Sequence, residues 1–65
     1  MKTIKIRGMS CHHCVMAVSR VLQAIDGVDR VDVSLETGEA TFEETKPVDM
    51  AVIAEKIRKA GYDVA

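Results

Sequence analysis

The sequence predicts an α+β fold in the order β-α-β-β-α-β, a four-stranded antiparallel sheet with two helices on one face. Three observations point there. Period-2 and period-3.6 apolar patterns alternate along the chain, glycine and proline fall between those patterns, and 65 residues suffice for one domain only, spanning 1–65.

Each element follows in order. Thr3-Ile4-Lys5-Ile6-Arg7 alternates and reads as a strand with Ile4 and Ile6 on its buried face. Gly8 breaks it. Ser10 or Cys11 is the N-cap of a first helix whose apolar positions Cys14, Val15, Val18, Val21, Leu22 and Ile25 keep i, i+3, i+4 spacing. Asp26-Gly27 ends that helix. Val31, Val33 and Leu35 alternate with Asp32 and Ser34 as a second strand, and Glu36-Thr37-Gly38-Glu39 forms a hairpin connection. Ala40 and Phe42 point inward from a third strand. Pro47 stops the sheet and Asp49 caps a second helix, with Met50, Ile53, Ala54 and Ile57 as its buried stripe. Gly61 ends it, leaving Tyr62-Asp63-Val64 for a short edge strand. This order is the split-βαβ, or ferredoxin-like, arrangement.

Composition removes several functions. With 48% hydrophobic and 29% charged residues the chain is globular rather than disordered. One Tyr, one Phe and no Trp leave no platform for stacking single-stranded bases, and a net charge of -1 gives duplex DNA no handle, so no nucleic-acid partner is expected. A core this thin leaves little room for an enclosed catalytic pocket of ~300 Å³ or more, so no catalytic residue is assigned. The apolar runs fall far short of the ~20 residues that span a bilayer, and the alternating start lacks the continuous apolar stretch of a signal peptide. As written, the chain is expected in the cytoplasm, without membrane insertion. Thiols stay reduced there, so a close cysteine pair suggests metal binding or redox chemistry rather than a staple.

The chemistry concentrates in Gly8-Met9-Ser10-Cys11-His12-His13-Cys14. Cys11 and Cys14 straddle a loop-to-helix transition, where both sulfurs converge and the positive helix end favours thiolate. Two soft thiolates without an obligatory third ligand suit Cu(I); Ag(I) and Hg(II) are chemically compatible, and Zn(II) is the physiological alternative, although a structural zinc site wants four ligands. No Asp or Glu lies between Gly8 and Ile25 to serve zinc as an added acidic ligand.

The segment from Gly8 to Cys14, placed after a first strand, resembles the GMxCxxC motif of the heavy-metal-associated domain family, and the resemblance extends over the whole chain to Ala60-Gly61-Tyr62. It implies that Cys11 and Cys14 bind the metal. It also implies that Met9 supports the loop from below and that Tyr62 stands near the site, as in bacterial copper-binding members. His13 matches a common bacterial variant; His12 is less usual. The family includes small copper chaperones and the N-terminal metal-binding domains of copper-transporting P-type ATPases.

Each feature has a plainer reading beside the functional one. The cysteines could be buried structural thiols, but that leaves the motif's placement unexplained. Met9 reads as core packing rather than a thioether ligand. Adjacent helical residues point about 100° apart, so His12 and His13 cannot easily join both cysteines on one ion, and they read as solvated with occasional ligand duty. Ser10 contributes loop flexibility, and Tyr62 is half core and half support. The leading expectation is a Cu(I) carrier, monomeric without metal and able to form a metal-bridged dimer. It would pass its ion to a heavy-metal-transporting P-type ATPase or another CxxC domain. The same motif would serve a receiving domain within a larger transporter. A thiol–disulfide oxidoreductase also places CxxC at a helix start, but the chain is short for that fold and Pro47 precedes a helix rather than facing the cysteines.

Overall fold

Alternation along Lys2–Arg7 buries Ile4 and Ile6, and this strand, β1, occupies an interior position of the sheet. The computed structural model describes residues Met1–Ala65. After β1 come α1 (His12–Gln23), β2 (Val28–Ser34), β3 (Glu39–Glu44), α2 (Met50–Lys59) and β4 (Asp63–Val64). The sheet order is β2-β3-β1-β4, antiparallel throughout, with Ile4 opposite Ala40 and Ile6 opposite Val64. The ferredoxin-like order read from the apolar periods is therefore the order observed.

The helices close one face of the sheet because their buried positions repeat at helical spacing. Val18 and Leu22 of α1, with Ile53 and Ile57 of α2, meet Ile4, Ile6, Ala40 and Phe42 of the strands. Phe42, Leu22, Ile53, Ile57 and Val18 are wholly excluded from water. Burying each such side chain is worth about 1.5–3 kcal/mol, so these few residues carry most of the drive to fold.

Both ends of α2 are specified locally. The Asp49 carboxylate accepts the Ala51 N–H at 2.9 Å, a cap worth ~1 kcal/mol. At the other end Gly61 adopts φ +98°, and the N–H groups of Gly61 and Tyr62 bond to the carbonyls of Arg58 (3.0 Å) and Ile57 (3.2 Å). That paired closure reverses the chain and leads it through Tyr62 into β4.

Three expectations needed correction, while the start of the first helix is as expected. The first helix begins at His12 with Cys11, one of the two expected caps, at the cap position with an extended backbone. It ends at Gln23, so Ile25 is buried from the following turn rather than from the helical stripe, and Gly27 opens β2 instead of closing α1. The second strand starts at Val28, and its alternation is broken by a bulge: Asp29 pairs with Glu43 and Asp32 with Thr41, with Arg30 at φ 51° between them. Finally, Leu35 is 36% exposed because it belongs to the turn after β2, not to the strand.

Gly27 is the backbone position that most resists a side chain. Its φ is +94°, and a Cβ there would stand 2.8 Å from Val48 Cγ2 and 2.9 Å from Lys46 Cγ. At Gly61 nothing lies within 4 Å of such a Cβ. Left-handed backbone alone costs a non-glycine residue roughly 1–2 kcal/mol. Gly61→Ala should therefore lower Tm by about 4–16 °C, at the 4–8 °C per kcal/mol typical of a domain this size. Gly27→Ala should lower it by clearly more; equal losses in thermal melts would mean that Val48 yields freely.

Candidate metal centre

The loop Gly8–Cys11 joins the end of β1 to the start of α1, and its two ends are fixed differently. Met9 is half-buried against the core, whereas Ser10, Cys11, His12 and His13 are exposed. The Cys11 carbonyl accepts the N–H groups of Cys14 (3.0 Å) and Val15 (3.2 Å), which starts the helix with no side-chain cap. No acidic residue occupies the first turn, so nothing neutralises the positive helix end beside the sulfurs.

Both cysteines are free thiols, Cys11 exposed and Cys14 half-buried, and their sulfurs lie 3.8 Å apart. The Ser10 hydroxyl stands 3.9 Å from Cys14 Sγ. The Cys14 thiol is lowered from 9.0 to about 6, chiefly by the Ser10 backbone N–H and next by the Tyr62 hydroxyl; partial burial opposes them, and the Cys11 N–H and Ser10 hydroxyl add to the lowering. Tyr62 moves the opposite way. Its phenol is raised, first by its hydrogen bond to Cys14, then by burial and by the charges of both cysteines. Neutral donors, rather than a lysine or arginine, hold the Cys14 thiolate.

The structure brings together Cys11, Cys14, Ser10 and Tyr62, with Met9 beneath them, and leaves His12 and His13 outside. No group of three or more His, Cys, Asp or Glu side chains is placed to hold a metal ion. Ser10 does more than its loop position suggested, since both its N–H and its hydroxyl face Cys14. A small polar residue just before the first cysteine is the only sequence signal of that role.

Known proteins show the same pattern. The heavy-metal-associated domain model matches residues 3–63. The copper chaperone CopZ of Bacillus subtilis (strain 168) is 46% identical over 66 residues, covering 98% of this chain and 94% of the relative. Among solved structures, a CopZ metallochaperone superposes with TM-score 0.89 at 37% identity, covering 98% of this chain and 97% of the other. A copper-binding domain of HMA7, a P-type ATPase, superposes with TM-score 0.85 at 26% identity, covering 97% and 86%. With the motif, the fold and these matches in agreement, the chain belongs to the heavy-metal-associated domain family.

Proposed function

We propose that this protein carries Cu(I) between the thiolates of Cys11 and Cys14 and passes it by ligand exchange to the cysteines of a P-type ATPase or another CxxC domain. The observation that carries this reading is the pair of reduced sulfurs 3.8 Å apart at the surface, joined by no third protein ligand. At the ~2.3 Å typical of a metal–thiolate bond, that separation subtends about 110° at the ion. A linear two-coordinate ion would need the sulfurs about 4.6 Å apart. The resting spacing therefore already suits a three-coordinate ion whose third position is open to a partner's sulfur.

Transfer then proceeds without redox change. A partner thiolate enters the open position, one of the two sulfurs leaves, and the second follows as the partner's other cysteine arrives. Cys11, the exposed sulfur, leaves first; Cys14, held by Ser10 and Tyr62, leaves last. The copper-chaperone relatives and the P-type ATPase domain among the structural neighbours support both the metal and the class of partner. Ag(I) and Hg(II) fit the same soft ligands, and Zn(II) would have to recruit further ligands from outside the chain. The chemistry is the same for a free carrier and for a receiving domain of a transporter. It requires a reducing compartment, which favours the cytoplasm; no helix here is long and apolar enough to cross a membrane. Without metal the chain acts as a monomer, and two copies sharing one ion would form the bridged dimer.

Cys11→Ser and Cys14→Ser should each weaken Cu(I) binding by well over the ~100-fold that loss of a supporting residue costs. His12→Ala and His13→Ala should change it far less. Competition against a Cu(I) chelator measures all four, and a near-normal affinity in either cysteine variant would overturn the ligand assignment.

Protons compete with the metal for these sulfurs, so pH provides a second test. Alkylation of Cys14 in the metal-free protein should follow a midpoint near 6 rather than 9.0. Tyr62→Phe should move that midpoint upward, because the hydroxyl is the second-largest cause of the lowering. The same shift stabilises the metal-free fold. Its contribution is complete above 9.0, the unfolded value, and is lost as pH falls towards 6. The Tm difference between parent and Cys14→Ser should shrink over that range; a constant difference would remove the thiolate from the stability of the fold.

A further inference from the structure

The exposed side of α1 carries one residue that its pattern does not call for. Met16 is 52% exposed, although it follows a half-buried valine and starts an otherwise polar surface stripe with Arg20 and Gln23. At about 100° per residue, Met16 lies about 40° around the helix from His12 and about 60° from His13, one turn below and between them. The buried Val18 and Leu22 lie at about 240° and 280° on the same scale, across the helix, and Cys14 at about 200° also faces away. Helical side chains lean towards the N-terminus, so Met16 covers the turn that carries the two exposed imidazoles. Although Met16 borders the shallow groove between α1 and β2, half of it remains in water.

The geometry points to a second soft-cation site on the outer face of α1, formed by the imidazoles of His12 and His13 with the Met16 sulfur, for a monovalent ion such as Ag(I) or Cu(I). Neutral imidazole and thioether are the ligands, besides thiolate, that such ions accept at low coordination number. The long unbranched methionine side chain lets sulfur follow whichever imidazole nitrogen is presented. Arg20, the nearest cation one turn further on, is exposed and makes no ion pair, so its charge is free to turn outwards. This site shares no ligand with the Cys11–Cys14 pair, and its Met16 lies about 160° around the helix from Cys14.

The test uses the chain with both Cys11→Ser and Cys14→Ser, so that no thiolate competes, titrated with Ag(I) in chloride-free buffer. The probe is the methyl spectrum of its 4 methionines together with the imidazole C–H signals. The Met16 methyl and both imidazoles should move together and saturate at one ion per chain. Met16→Leu, and His12→Asn with His13→Asn, should each weaken that binding by about tenfold or more. Movement of Met1 or Met9 with Met16 unmoved, or unchanged binding in these variants, would overturn the site. Neither result touches the thiolate carrier, whose failure shows instead as undiminished Cu(I) affinity in the single cysteine variants.

Discussion

Strand β1 is held on both sides, by β3 and by β4, and its two isoleucines reach the centre of the core. In a domain with only nine core side chains, that one strand fixes where everything at its C-terminal end must begin. Marginal stability makes the point sharper: a total of about 5–15 kcal/mol leaves no margin for a strand that slips in register. Because β1 cannot move, Gly8 and Met9 leave it from a set position, and Met9 anchors the loop to the same core. The loop thus has a rigid base and an exposed tip, which lets an ion reach two sulfurs without any opening of the fold.

Neutral groups do the electrostatic work at that tip. The Ser10 N–H, the Tyr62 hydroxyl and the Cys11 N–H favour the Cys14 thiolate without placing a fixed cation beside it. A lysine or arginine there would stabilise the thiolate equally well but would repel an incoming metal cation. Tyr62 reaches this position only through the backbone reversal at Gly61, so the end of α2, far along the chain, completes a site that begins at Ser10.

The pole distant from the metal loop carries fastenings of another kind. The Glu44 carboxylate accepts the Val48 N–H at 3.0 Å and faces Lys2 at 3.4 Å, and these partners, the Val48 N–H first, hold its pKa below the ordinary carboxylate value. Lys46 pairs with Asp26 at the surface, where such a pair contributes little. Gly27, packed under Val48, brings the turn after α1 against the loop before α2. With closure of the fold secured there, the loop at the metal end is released from structural duty.

Local chemistry determined most of the architecture. Periods of two and 3.6, Asp49 at a cap, and Gly61 after a helix are short-range signals, and each element they mark is present because packing agreed with propensity. The two cysteines and their placement between strand and helix were legible for the same reason, since three residues of spacing suffice to bring the sulfurs together. What the sequence could not determine were the features set by partners distant in the chain. The bulge at Arg30 depends on how β2 meets β3. The exposure of Leu35 depends on where that hairpin turns. Gly27 reads as a helix terminator until Val48 is seen above it. Above all, the support given to the Cys14 thiolate rests on Tyr62, 48 positions away, and on N–H groups whose directions follow from the loop's fold. Residue type supplied the thiols; only the tertiary structure aimed the Ser10 and Tyr62 donors at Cys14.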